Sequence, residues 1–204
     1  MINILIGIAG ALIIHIVDIV SLKKIPLLKP LIWIIGISIG LYSIIKLCLS
    51  SDKLSLPVWT TVCGWVLLVV SVFIFLTALF VNLPFRKTYI ETGVGDKLIK
   101  TGFYSLARHP GVLAFTTLMI SLIFVSGSKQ ILIATPIFVF IDILLVIIQD
   151  RIFFPKMFTS YGKYSQEIPM LLPNRRSIGI FLASLRLAKT KNPLQGGKPN
   201  DYAG

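Results

Sequence analysis

Residues 58–83 read VWTTVCGWVLLVVSVFIFLTALFVNL, without one charged side chain. A helix needs about 20 apolar residues in succession to cross the hydrocarbon core of a bilayer. Helices of soluble proteins carry a polar face instead, so they interrupt such a run every three or four residues. Residues 58–83, bounded by Pro57 and Pro84, therefore predict a transmembrane helix.

Four more apolar blocks accompany this one, and they are Ile2–Leu22, Leu27–Leu49, Gly111–Val125 and Ile131–Ile148. The whole chain is 55% hydrophobic and 14% charged, with a mean hydropathy of +0.89. Soluble domains carry about 25% charged residues. The composition excludes disorder, collagen and a disulfide-rich scaffold, and it argues against a water-soluble enzyme. We expect an all-α, polytopic membrane protein with five transmembrane helices and a cytoplasmic C-terminal helical segment.

The net charge is +12, and the distribution of the basic residues among the loops predicts how the helices are oriented. Lysine and arginine accumulate in cytoplasmic loops, and here they concentrate after Leu22, within 84–110 and from Arg151 onward. Five spans with the N-terminus outside place all three regions in the cytoplasm. This basic charge suits an anionic leaflet, and no basic, aromatic-studded groove predicts a nucleic-acid partner. The membrane would be the plasma membrane of a prokaryote or the endoplasmic reticulum of a eukaryote.

The chain predicts one membrane domain over residues 1–188, followed by a disordered tail over residues 189–204. Ser177–Ala188 has its apolar residues at helical spacing, which is typical of an interfacial helix. Cys48 and Cys63 lie in apolar blocks without metal-ligand spacing, so no metal site is expected.

The polar loop before the fourth apolar block contains the main candidates for functional residues. It reads Lys97-Leu-Ile-Lys-Thr-Gly-Phe-Tyr-Ser-Leu-Ala-Arg-His-Pro110. Proline is favoured at the first position of a helix, where free N–H groups and the helix dipole attract anions. Arg108 and His109 therefore predict a site for a carboxylate or phosphate. The alternative is that Arg108 only orients the helix among lipid headgroups.

Two separated segments resemble the integral-membrane methyltransferases, which include isoprenylcysteine carboxyl methyltransferase and the phospholipid methyltransferases. Thr101–Pro110 resembles the family pattern [TS]GxYxxxRHP. Residues 149–169 align with an acidic pair followed by FGxxYxxYxxxVP, with the pair at Gln149-Asp150 and the tyrosines at Tyr161 and Tyr164. The resemblance covers residues 94–173.

The resemblance implies S-adenosylmethionine bound on the cytoplasmic side, with Arg108 and His109 as catalytic residues. The cofactor-binding positions it implies are Asp96, Lys97, Leu98, Ile99, Tyr104, His109, Pro110, Gly111, Val112, Gln149 and Asp150. The acceptor would be an isoprenoid, a prenylcysteine or a phospholipid that enters sideways from the bilayer.

The chain departs from the family at Val112, Ala114, Leu145 and Gln149, which replace an aromatic hydroxyl, a glycine, a substrate-facing arginine and a carboxylate. We expect Asp150 to supply the missing charge, and Gln149→Glu to preserve or improve cofactor binding. Two alternatives remain. One is a membrane reductase related to sterol reductases, and the other is a non-enzymatic relative of the same fold.

Three ionisable residues lie inside the predicted spans. His15 and Asp18 are three residues apart, so they share a helix face, and Asp142 lies in the fifth block. Intramembrane charges are candidates for a functional role. The rival interpretation is that they stabilise helix packing.

Overall fold

A computed structural model of the chain describes residues 1–25, 27–83 and 98–190. It is all-helical, with 79% helix and no strand among these residues. The helices are α1 (Ile2–Leu22), α2 (Leu28–Cys48), α3 (Val58–Leu76), α4 (Pro110–Ser126), α5 (Lys129–Ile148), α6 (Phe154–Met157), α7 (Tyr161–Glu167) and α8 (Arg175–Thr190). The π-helical segments Thr77–Val81 and Gln149–Phe153 extend α3 and α5, and Gly102–Ser105 forms a 3₁₀ turn.

Four helical stretches are long and apolar enough to cross a membrane, and they are Ile2–Leu22, Leu28–Cys48, Val58–Val81 and Lys129–Met157. The chain is therefore an integral membrane protein by the length and composition of its helices. Helix α4 is apolar but has only 17 residues, which gives a length of about 25 Å at 1.5 Å per residue. The expectation of five spans is supported for four helical stretches, because α4 is shorter than each of these four.

Small residues let α1 and α2 approach closely. A Cβ atom on Gly10 would lie 2.8 Å from the backbone nitrogen of Gly40 and 3.0 Å from the carbonyl oxygen of Gly36. The Ser43 hydroxyl donates a hydrogen bond to the Asn3 carbonyl (2.6 Å), so the start of α1 lies beside the end of α2. Glycine at such a crossing is typical of helix packing inside membranes.

One end of the bundle is tied by the turns that follow α2 and α4. The Lys53 ammonium donates to the carbonyls of Cys48 (2.8 Å) and Ser126 (2.9 Å), the last residues of these two helices. Asp52 and Lys129 form an exposed ion pair at 2.8 Å. Residues 50–57 and 126–129 therefore lie at the same end of the molecule.

The opposite end holds both motif segments. Backbone N–H groups of Arg108 and His109 donate to the carbonyls of Pro169 (2.9 Å) and Met170 (3.0 Å). Helix α4 thus starts at the motif end and finishes at the end tied by Lys53.

Helix α8 covers the 3₁₀ turn through a stacked pair, Phe103 and Phe181, whose ring centroids are 5.9 Å apart. Its outer side exposes Ile178 (43%) and Leu182 (50%). The helix reaches Thr190, so the first two residues of the predicted tail are helical. Residues 191–204 lie outside the described part of the chain, and the membrane contact of α8 stays a prediction.

Candidate functional site at the Arg-His-Pro turn

Asp150 is the centre of the polar network at the motif end. Its carboxylate receives hydrogen bonds from Nε (2.9 Å) and Nη2 (2.8 Å) of Arg108, from Nε2 of His109 (3.2 Å) and from the hydroxyl of Tyr161. Three of these donors meet Oδ1 and one meets Oδ2. An ionised carboxylate offers about two acceptor positions on each oxygen, so Oδ1 is fully engaged and Oδ2 can still accept one more hydrogen bond.

The Arg108 side chain fastens the two motif segments together. Its Nη1 donates to the carbonyls of Ser165 and Ile168, both at 2.7 Å. With the two bonds to Asp150, these engage four of the five N–H groups of a guanidinium. A bidentate pair of this kind fixes orientation as well as charge. The remaining N–H on Nη2 is the part of Arg108 that a ligand can use.

His109 caps the start of α4 with its ring held on two sides. The ring stacks on Phe154 at a centroid distance of 5.5 Å, and its Nε2 faces the Asp150 carboxylate. A carboxylate only accepts, so Nε2 carries the hydrogen. In a neutral imidazole, Nδ1 is then the acceptor available to a ligand.

The turn before α4 depends on Gly102, whose φ is +60°. A side chain there would collide with the Asn82 amide, and the Asn82 side-chain oxygen accepts from the Phe103 N–H at 3.0 Å. The end of the α3 extension therefore shapes the Arg-His-Pro turn. Sequence reasoning missed this role of Asn82.

Two buried tyrosines support the network from α7. Burial raises the pKa of Tyr161, and the hydrogen bond to the Asp150 carboxylate raises it further. Burial also raises the pKa of Tyr164, whose hydroxyl donates to the Tyr104 carbonyl at 2.6 Å. Both hydroxyls are thus protonated donors at neutral pH.

A cavity of about 450 Å³ opens beside this network, a size typical of small-molecule sites. Among the predicted site residues, its wall includes Leu98, Ile99, Tyr104, Arg108, His109, Pro110, Gly111, Val112 and Gln149. Asp150 is not among the described lining residues. Asp96 and Lys97 lie outside the described residues. The structure thus brings both motif segments to one cavity.

The cavity continues among the long apolar helices, where Gln149 contacts Asp18. The Gln149 amide nitrogen donates to the two oxygens of Asp18 at 3.0 and 2.9 Å. Nδ1 of His15 lies 3.5 Å from the same carboxylate, and Asp142 lines the same wall. Gln149 and Asp150 therefore have different partners, because successive residues of a helix point in different directions.

Some wall residues were missed by sequence reasoning. Lys29 is buried, with 6% of its surface exposed, and it lines the cavity together with Trp33 and Phe154. A lysine at the start of an apolar block is a signal that could have identified Lys29, because a buried charge is unusual. Nothing in the sequence marks Trp33 or Phe154 among the many other apolar residues.

The arrangement places the Arg108–Asp150 ion pair beside a cavity wall that is partly polar and partly apolar. The wall combines hydrogen-bond groups at the motif end with carboxylates and apolar side chains among the long helices. Such a cavity can bind an amphiphilic molecule or a polar one beside an apolar one. No protein-family model, curated protein or solved structure matches this chain.

Proposed function

We propose that the chain is an S-adenosylmethionine-dependent membrane methyltransferase that acts on a lipophilic acceptor. One observation carries the proposal, namely that a single cavity joins both motif segments to the interior of the apolar helices. Methyl transfer between a polar donor and a lipophilic acceptor requires a site with these two halves. The motif resemblance supports the same reaction.

The residues of the cavity suit S-adenosylmethionine. The remaining N–H of Arg108 and the N–H of Gly111 at the start of α4 suit its carboxylate, while the Asp18 carboxylate suits its positive charge. Aromatic side chains on the wall, among them Phe158 and Tyr161, suit its adenine. When bound, the molecule supplies an electrophilic methyl group on its sulfonium. The protein contributes position and a fixed electrostatic environment.

The apolar half of the wall suits the acceptor. Gly7, Ile8 and Ala11 of α1 line it together with Phe138 and Ile141 of α5. An isoprenoid, a prenylcysteine or a phospholipid would place its chain there and its reactive group towards His109. Arg108 is paired with Asp150, so its role is to hold the Arg-His-Pro turn in place and to donate its one remaining N–H to a ligand.

We further propose five spans, with the N-terminus outside and the motif segments and C-terminus in the cytoplasm. The path of α4 between the two ends supports it as the fifth span, and a bilayer thins or neighbouring residues snorkel to match a short helix. The membrane is then the plasma membrane in a prokaryote or the endoplasmic reticulum in a eukaryote.

Calorimetric titration of the detergent-purified protein tests the reaction class. We expect S-adenosylmethionine to bind and NADPH not to bind. His109→Ala should weaken S-adenosylmethionine binding at least about tenfold, or 1.4 kcal/mol, while Asp52→Asn at the opposite end should leave it unchanged. Turnover is then measured as methyl transfer to a mixed lipid extract.

The two alternative functions, a reductase and a non-enzymatic relative, predict different ligands in the same titration. NADPH binding without S-adenosylmethionine binding would replace the methyltransferase by a reductase. Binding of neither would favour a non-enzymatic relative. The observation in favour of that relative is Val112, which is 5% exposed on the cavity wall and has no hydroxyl where the family has one.

A further inference from the structure

Charge is unevenly compensated along the cavity wall. At the motif end, Arg108 is neutralised by Asp150 in a bidentate pair. Among the apolar helices, Asp18 is 7% exposed, and its hydrogen-bond donor is the neutral amide of Gln149. The amide orients the carboxylate but adds no positive charge. A carboxylate buried to this extent is unfavourable unless a cation accompanies it.

Among the described residues, the other groups near Asp18 do not supply this cation. His15 lies at 3.5 Å and is positive only when it is protonated. Asp142 faces the same cavity and adds a second carboxylate, which also interacts electrostatically with His15. Lys29 also lines the cavity and has an interaction of its own. The space in front of Asp18 therefore favours a positively charged ligand.

We propose that Asp18 is the anionic partner of an organic cation bound in the cavity, with Gln149 holding the carboxylate in position. The cation belongs to the onium class, and it is either the sulfonium of the methyl donor or the ammonium head of an amphiphile. The sulfonium assignment rests on the proposed methyltransferase function. The ammonium assignment rests only on the cavity and its wall.

This assignment gives a role to a helix outside the motif region. Asp18 belongs to α1, and 131 positions separate it from Gln149 in the chain. The carboxylate stands on the helix that also lines the apolar half of the cavity, so a cation bound there lies where the polar and apolar halves meet. Asp18 would thereby select the ligand by charge.

The first arm of the test compares S-adenosylmethionine with S-adenosylhomocysteine, which lacks the methyl group and the positive charge. Calorimetry gives both affinities for the wild type, Asp18→Asn and Asp18→Glu. If the sulfonium is the cation, the preference for S-adenosylmethionine falls at least about tenfold in Asp18→Asn and is retained in Asp18→Glu. Asp52→Asn removes an exposed carboxylate and should keep the wild-type preference.

The second arm compares octylammonium with octanol, a pair of equal chain length and different charge. Trp33 lines the cavity, so ligand binding is followed by its fluorescence in a protein that also carries Trp59→Phe and Trp65→Phe. If the ammonium head is the cation, Asp18→Asn loses the preference for octylammonium at least about tenfold and keeps its affinity for octanol.

The outcomes separate the two proposals. A loss of preference in either arm supports the role of Asp18 and identifies the source of the cation. An unchanged preference in both arms, in an Asp18→Asn protein with cooperative thermal unfolding, overturns it, as does a wild type that prefers the cation in neither pair. A wild type that binds neither adenosyl compound refutes the methyltransferase function, and the second arm still judges Asp18.

Discussion

Gln149 occupies the position of a carboxylate in the family that the chain resembles. Its contact with Asp18 gives this replacement a different interpretation. Sequence reasoning treated Gln149 as a lost charge that Asp150 would replace. In the structure Asp150 is held by Arg108, His109 and Tyr161, while Gln149 contacts Asp18 on the cavity wall. The carboxylate that Gln149 contacts therefore belongs to another helix, α1.

The contact with Asp18 predicts that Gln149→Glu destabilises the folded protein. The substitution places a second carboxylate at about the distance of the present hydrogen bonds, 2.9–3.0 Å from Asp18. Loss of the bonds and repulsion together should cost about 1–3 kcal/mol. Thermal unfolding in detergent measures the change.

A charge swap provides the control for this prediction. The double variant Asp18→Asn, Gln149→Glu restores one carboxylate and one amide, so it should recover most of the lost stability. The coupling energy of the double-mutant cycle isolates the pair. A Gln149→Glu protein as stable as the wild type would show that the contact has no energetic importance.

The raised pKa values of Tyr161 and Tyr164 predict a pH dependence. Both hydroxyls stay protonated in the folded protein above pH 10, where an ordinary tyrosine ionises. The stability they contribute is present below the unfolded pKa of about 10, and it is lost as pH rises from there towards the folded values.

Absorbance at 295 nm detects tyrosine ionisation. The chain has six tyrosines. At about pH 11 the absorbance of the native wild type should rise no more than that of the double variant Tyr161→Phe, Tyr164→Phe. In denaturant the wild type should exceed that variant by two tyrosines. A native wild type that shows this excess before denaturation would contradict the burial of both hydroxyls.

At the scale of elements, the glycines of α1 and α2 differ sharply in what surrounds them. Gly10→Ala would bring a methyl group within 3.0 Å of the opposing backbone, whereas a Cβ on Gly40 meets nothing within 4 Å. Overpacking against backbone costs about 1–3 kcal/mol. Gly40→Ala should instead be neutral or slightly stabilising, since alanine favours the helix by up to about 1 kcal/mol.

Unfolding temperatures of the two alanine variants in the same detergent decide this prediction. Equal losses would mean that α1 and α2 are not held at the observed separation. An additional Gly10→Ser variant adds a similar Cβ, so it should resemble Gly10→Ala.

Apolar runs predicted the helices well because lipid exposure imposes a uniform composition on them. Leu27–Leu49 was expected and Leu28–Cys48 is observed, while Gly111–Val125 became Pro110–Ser126. The π segments were not predicted. A π turn differs from an α turn by one hydrogen-bond register, and it depends on tertiary packing, which no periodicity of apolar residues reports.

At the scale of the whole molecule, the two ends of the helix bundle predict on which side of the membrane a reporter fusion lies. Fusions at Asp52 and Lys129 should report the same side of the membrane, because these residues are in contact. In the proposed topology that side is outside the cell or in the lumen. A fusion at Lys100 should report the cytoplasm. Protease protection of the same positions provides an independent measurement, and a cytoplasmic signal at Lys129 would remove α4 from the list of spans.

The resemblance implied that the two motif segments meet, and in the structure Arg108 contacts Asp150, Ser165 and Ile168. The resemblance did not connect these segments with α1. Contacts between residues as distant as Asp18 and Gln149 depend on how the helices cross, and helix crossing follows from small residues such as Gly10 that many apolar blocks contain.

The hydrogen bond between Asp18 and Gln149 also has an evolutionary consequence. Since one carboxylate and one amide share this contact, the two positions should covary among descendants of a common ancestor. Lineages with glutamate at the position of Gln149 should carry a neutral residue at the position of Asp18, and lineages that keep aspartate there should keep an amide opposite. The evolutionary history of this site would then be visible only when both positions are compared, and one of them lies far outside the motif.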